Sequence, residues 1–272
     1  MKASTAIGIG VAFAGLAVGA LMEGASPAAF LNIPALLIVL GGTFGATFAG
    51  TTIEKMKLIP TLYKKAMGSE KPDMNAQLEL LVGFAERARR EGLLALDEEV
   101  AELEDEFTRK GLQLVVDGTD PELVREILEN EIDGMMGRHH ACVSPFEKAG
   151  GFAPTMGIIG TVMGLVHVLE NLDAPATLGP AISGAFIATL YGVGSANVIF
   201  LPTANKLKAM SAEETELRSM TLEGILSIQA GDNPRVVADK LLSFIPPVER
   251  AAEIDPAEAL AAEPAEAELA AA

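Results

Sequence analysis

Tryptophan is missing from this 272-residue chain, tyrosine occurs twice, histidine three times and cysteine once. A single cysteine, Cys142, excludes an internal disulfide. The one grouping of metal-ligating types is His139, His140 and Cys142. Adjacent residues on a helix point about 100° apart, so the two imidazoles cannot share an ion, and no second cluster completes a site. His167, near the outer end of an apolar run, is read as a packed or headgroup-facing side chain and not as a proton relay. No nucleophile elbow, Walker lysine or paired metal motif occurs. The chain is therefore not expected to be an enzyme or to hold a cofactor.

Charge is the more telling absence. Four stretches, Ala3 to Met22, Pro34 to Ile53, Ala149 to Leu169 and Ala174 to Asn205, contain no Asp, Glu, Lys or Arg. Each is about as long as the roughly 20 residues that cross a bilayer as a helix. Elsewhere the chain is strongly charged, so a formal net charge of −17 coexists with 50% hydrophobic residues and a mean hydropathy of +0.34. Four spans reconcile those numbers. Lys2 precedes the first span, thirteen Lys and Arg lie between Lys55 and Lys148, and six lie from Lys206 to Arg250, while the short connectors hold none. By the positive-inside rule both termini and the long central segment are cytoplasmic. The first run is longer than the apolar core of a secretory signal, so it is read as a retained span.

The reading is all-α. Residues 1–53 hold the first two spans, 54–148 a helical cytoplasmic domain, 149–205 the third and fourth spans, 206–247 cytoplasmic helices, and 248–272 an acidic Ala-Glu-Pro tail expected to be disordered. Within the cytoplasmic domain Asp73 caps a helix carrying Met74, Leu78, Leu81 and Ala85, which Gly92 interrupts. A second helix is expected from Leu93 to Phe107, and a third begins at Asp120 and Pro121. Only LQLVV, Leu112 to Val116, hints at a strand.

The third and fourth spans hold more than an anchor requires. Each has a proline (Pro154, Pro202), closely spaced glycines (Gly157, Gly160, Gly164; Gly184, Gly192, Gly194) and a threonine among apolar neighbours (Thr161, Thr189). Glycines four apart let helices approach closely. Proline removes a backbone hydrogen bond at about 3 kcal/mol in a soluble helix, and in lipid the freed carbonyl needs another partner. The glycines of GGTFGATFAG in the second span have no following lysine, so they are read as packing residues and not as a phosphate loop. Ion carriers retain a buried acid within the span. These spans have none at their centres, so any ion path needs a carboxylate from a partner subunit. The two threonines offer hydroxyl oxygens to it, or else bond their own helix backbone. On the cytoplasmic side Arg87, Arg89 and Arg90 face Asp97, Glu98 and Glu99 across Gly92, a pattern of solvated surface or of docking onto a charged partner.

APTMGIIGTVMGLVHVL, GPAISGAFIATLYGVGSANVIFLPTANKL, GLQLVVDGTDPELVREILENEI and EGILSIQAGDNPRVVADKLLSF occur in an order that resembles the flagellar stator A subunits, the MotA/PomA family of the MotA/TolQ/ExbB superfamily. The resemblance covers residues 1–247. It implies an inner-membrane, multi-pass subunit of the flagellar motor, in which inward H+ or Na+ flow is coupled to torque. It further implies a ring of five around two copies of a MotB/PomB-type B subunit carrying the ion-binding aspartate, contact with the rotor protein FliG and with membrane lipid, and no nucleic acid. Position by position, Pro154 and Pro202 match the family's functional prolines and Thr161 and Thr189 its ion-path positions. Arg89 and Asp97, with Arg90 and Glu98 as register neighbours, match rotor-facing charges, and Lys206 matches a basic position just inside the membrane. Thr161 favours sodium, whereas Gly151 replaces an acid found in sodium-type relatives, so the coupling ion stays open. The rival reading is an ExbB/TolQ-type proton-driven energiser of outer-membrane machinery, whose members usually have three spans.

Overall fold

The structure, a computed structural model, describes residues 4–24, 26–68, 71–173, 175–247 and 249–250. Among them every regular element is helical: α1 (Ser4–Met22), α2 (Ile33–Ala49), α3 (Ile53–Gly68), α4 (Met74–Glu91), α5 (Asp97–Ala101), α6 (Glu106–Val116), α7 (Pro121–Glu170), α8 (Pro175–Ala230) and α9 (Pro234–Leu242). Two units emerge, one of Met1–Lys71 with Gly137–Ser211 and one of Pro72–Met136 with Ala212–Ala272. Helices α7 and α8 contribute a stretch to each. The tail expected to be disordered, beyond Arg250, lies outside the described residues.

In the first unit α1, α7 and α8 are long and apolar enough to cross a membrane, and α2 is a shorter apolar helix. Asn32 starts α2 by accepting a hydrogen bond from the Ala35 amide at 3.0 Å, with Pro34 just inside the first turn. The apolar run read as extending to Ile53 does not stay in one helix. It stops at Ala49, where Lys148 donates its ammonium to the Gly50 carbonyl, and α3 begins at Ile53. A cation at a helix C-terminus meets the negative end of the helix dipole there. Two π turns, Leu37–Gly41 in α2 and Ala196–Phe200 in α8, interrupt the apolar helices. Phe44 of α2 meets Phe200 edge-on, with ring centroids 6.1 Å apart.

The second unit is built around large buried side chains. Leu81, Leu96, Phe107, Leu112, Leu128 and Met220 are all nearly inaccessible and share one cluster. Its helices are capped as local chemistry dictates. Asp73 accepts from the Asn75 and Ala76 amides at 3.0 and 3.1 Å, and Asp105 from the Thr108 amide at 2.8 Å. Gly92, Gly118 and Gly231 supply the positive φ that closes α4, α6 and α8.

Two expectations are corrected here. The segment from Leu93 to Phe107 is not one helix but a 3-10 turn (Leu93–Leu96), the short α5, and the start of α6. Asp105, with its extended backbone, restarts the helix at Glu106. The LQLVV stretch is helical, lying wholly within α6. Leu112, Val115 and Val116 face the core at helical spacing, which overrides their β propensity.

Candidate functional site

The third and fourth uncharged runs form the apolar parts of α7 and α8, and they meet along a seam of small residues. A Cβ on Gly192 would stand 2.5 Å from the Ala153 carbonyl oxygen and 2.9 Å from the Gly157 Cα. One on Gly157 would stand 2.9 Å from the Ala188 carbonyl oxygen. Real Cβ atoms do not come this close, so both positions require glycine for backbone to lie on backbone. Further along, Gly160 meets the Ala188 methyl and Gly164 the Ala185 methyl, with Cβ separations of 2.8 and 2.7 Å for added methyls. The spacing 157, 160, 164 on one helix against 185, 188, 192 on the other makes the small-residue contact geometry of membrane helix pairs.

Thr161 and Thr189 lie within this seam, both half-buried, with hydroxyl oxygens 2.5 Å apart. Thr161 Oγ1 is also 2.9 Å from the Ala185 carbonyl oxygen and 3.1 Å from the Gly157 carbonyl oxygen. A hydroxyl has one proton, so Thr161 donates to a carbonyl and Thr189 donates to Thr161. Ala185 is four residues before Thr189, so Thr161 occupies the carbonyl that Thr189 would ordinarily use within its own helix. The own-backbone reading thus describes one of Thr161's contacts and misses the link between helices. Two hydroxyl oxygens and two carbonyl oxygens converge there, and none carries a charge.

Pro154 and Pro202 are both half-buried and sit inside α7 and α8. Pro154 follows Ala153, whose carbonyl is the atom nearest to Gly192, so the proline adjoins the tightest point of the seam. Pro202 lies one residue beyond the end of the π turn Ala196–Phe200, after Leu201. Thr203 beside it returns its hydroxyl to the Ile199 carbonyl at 2.7 Å, satisfying one polar group in an irregular stretch.

The side chains assigned to rotor contact are divided between the two units. Lys206 belongs to the unit containing the seam, whereas Arg89, Arg90, Asp97 and Glu98 belong to the other. There the charges divide. Arg87 pairs with Glu99 and, at 3.4 Å, with Glu91, which holds its guanidinium more firmly protonated. Asp97 accepts from Gln113 at 3.1 Å. Arg89, Arg90 and Glu98 are exposed and make no hydrogen bond or ion pair among the described residues. Of the trio His139, His140 and Cys142, His139 Nδ1 lies 2.9 Å from Ser211 Oγ.

One part of the seam's surroundings was not anticipated. Tyr191 donates its phenol to the Phe30 carbonyl and accepts from the Asn32 amide at 3.2 Å, fastening the start of α2 to α8. Asn32 in turn packs on Gly184, where an added Cβ would stand 2.5 Å from its amide nitrogen. The available signal was a tyrosine inside an uncharged run, in a chain with only two tyrosines.

Residues 99–220 match the model of the MotA/TolQ/ExbB proton channel family. The chain is similar to "Motility protein A" of Bacillus subtilis, 38% identical over 251 residues covering 92% of this chain and 93% of the relative. It is also similar to "Chemotaxis protein PomA" of Vibrio alginolyticus, 35% identical over 94% of this chain and 100% of the relative. Among solved structures it resembles a chain of the flagellar MotAB stator complex from Bacillus subtilis, with a TM-score of 0.86, 38% identity, and coverage of 92% of this chain and 100% of that one.

Proposed function

Because this chain belongs to the MotA/TolQ/ExbB proton channel family and is an ion-conducting stator subunit of the flagellar motor, we propose that its α7–α8 seam forms one wall of an ion path completed by a MotB/PomB-type partner. The observation that carries this reading is the Thr161–Thr189 hydroxyl pair in a seam flanked by uncharged helix. These few oxygens can replace only part of an ion's hydration shell and carry no fixed negative charge to balance the cation. The partner supplies that carboxylate. Pro154 and Pro202 lie to one side of the pair, one on each helix, where their missing amide hydrogens leave the backbone free to change shape when the carboxylate is neutralised.

Four spans, α1, α2 and the apolar parts of α7 and α8, cross the inner membrane, with both termini and the charged helices in the cytoplasm. Residue 1–53, 54–148, 149–205 and 206–247 boundaries follow from that topology. The subunit forms a ring of five around two B subunits in contact with lipid, and Arg89, Arg90, Asp97, Glu98 and Lys206 face the rotor protein FliG. The potential contributes about 2.3 kcal/mol per charge per 100 mV, so torque accumulates over many ions, whether H+ or Na+. No cofactor and no catalysis enter this scheme.

The test is Pro154→Leu and Thr189→Val in cells lacking the native gene. Both variants are expected to assemble with the B subunit and localise to motors, with swimming abolished for the first and strongly slowed for the second. Normal swimming by both would refute the seam as the ion path. Swimming speed with sodium varied at constant ionic strength and membrane potential decides the ion.

A further inference from the structure

In the unit formed by Pro72–Met136 with Ala212–Ala272, Leu94 is 79% exposed, while the next large apolar side chains, Leu123 and Val236, are 47% and 46% exposed. Local geometry puts it outside. Gly92, at φ +88°, ends α4, and the 3-10 turn Leu93–Leu96 follows. With three residues per turn, Leu93 and Leu96 fall on one edge and enter the core, and Leu94 falls off it.

The charges flanking this turn sort into two sets. Arg87, Glu91 and Glu99 pair among themselves, with Arg87 joining the two flanks through Glu99. Arg89, Arg90 and Glu98 are exposed and unengaged among the described residues. A bare leucine between unengaged charges of both signs has the make-up of a binding hot spot: an apolar centre inside a polar rim. Isolated surface leucines are ordinary. This one differs in standing at the tip of a turn whose other charges are already internally paired.

We propose that Leu94 is the apolar anchor of the rotor-docking corner, seated in an apolar pocket of the rotor protein whose rim presents acidic groups to Arg89 and Arg90 and a basic group to Glu98. The proposal rests on the rotor-facing reading of those charges given above. Its physical content is a division of labour. Exposed rim charges govern encounter and its salt dependence, whereas a desolvated side chain governs how long the complex lasts.

The experiment measures association and dissociation of purified rotor protein on the intact A/B stator complex in nanodiscs, at low and at physiological salt. Leu94→Ser is expected to speed dissociation about tenfold, equivalent to about 1.4 kcal/mol, with an unchanged salt slope. Leu94→Met, which keeps the apolar volume, is expected to restore slow dissociation. Arg89→Glu combined with Arg90→Glu is expected to slow association and flatten its salt dependence. Wild-type dissociation for Leu94→Ser, while the charge reversals still slow association, overturns the anchor and leaves the rotor-facing reading standing. No effect from either set overturns that reading itself. A change in the stator's oligomeric mass on Leu94→Ser, with rotor dissociation unaltered, assigns the leucine to a contact between copies and also overturns the proposal.

Discussion

Helices of the Met1–Lys71 and Gly137–Ser211 unit approach through Gly157, Gly192 and Ala188, backbone against backbone. Those of the Pro72–Met136 and Ala212–Ala272 unit are spaced by Leu81, Phe107 and Met220, whose side chains fill the gap between them. The contrast follows from the solvent. In water, burying large apolar side chains is itself the driving force, at about 25 cal/mol per Å². In lipid that force is absent, so contact depends on close fit, and small residues provide the closest. Polar groups follow the same division. Gln77 donates to the buried hydroxyls of Thr108 and Thr221, at 3.0 Å each, inside a core that water built. Thr161 and Thr189 instead link two helices directly through their hydroxyls.

The sharpest way to break this contrast is to give the seam a side chain. Gly192→Leu has no room beside the Ala153 carbonyl and the Gly157 backbone. It is expected to abolish motility and to reduce recovery of the A/B complex, as read by soft-agar spreading and by yield on co-purification. In the other unit, Phe107→Ala opens a cavity and removes the ring beneath the Arg218 guanidinium, which sits 4.9 Å from its centroid. A loss of about 3–5 kcal/mol is expected, measured by denaturant unfolding. Thr189→Val separates chemistry from packing. It keeps the volume, leaves the Thr161 hydroxyl a carbonyl to donate to, and removes one hydroxyl. Stability is expected to fall by only about 0.6 kcal/mol, the mean for a hydrogen bond between membrane helices, while ion flux in vesicles falls far more.

Smaller still is a cap. Asp105→Ala frees the Thr108 amide at the start of α6 and is expected to cost about 1 kcal/mol, seen as a lower unfolding midpoint. The smallest effect concerns Lys240, which pairs with Asp232 at 2.7 Å near the start of α9. Lys240, through its hydrogen bond, holds the Asp232 carboxyl below the usual range, and Asp232 holds the ammonium above its own. For the acid, stability is present above its unfolded value of about 3.9 and is lost as pH falls through the depressed one. For the base it is present below about 10.4 and lost as pH rises through the raised one. Both groups are part-exposed at the surface, so Lys240→Ala is expected to change stability by only a few tenths of a kcal/mol, removing the pair's share of the acid dependence.

What could be read from the chain alone was what is local. Asp73, Gly92, Asp120 with Pro121, and Gly118 mark helix ends through contacts within a few residues, and the structure has ends there. The Leu93 to Phe107 stretch misled because its apolar spacing continues across a 3-10 turn, the end of α5 at Ala101 and the restart that Asp105 caps. In the membrane part, glycine spacing pointed to close packing. It singled out Gly160 and Gly164, which do meet Ala188 and Ala185 closely, but not Gly157 and Gly192, where backbone lies on backbone and which only pairing across the hairpin reveals. The Tyr191 clasp joins residues 159 and 161 positions apart, beyond any periodicity.

The π turn at Ala196–Phe200 changes how α8 must be numbered around its axis. A single wide turn admits one residue more than α-helical winding allows, which rotates everything beyond it by about 100°. A wheel drawn from Thr189 and carried through to Lys206 therefore assigns the lower residues to the wrong side. Cross-linking or cysteine-accessibility scans of this helix come into phase only when Pro202 and Lys206 are counted afresh from Leu201.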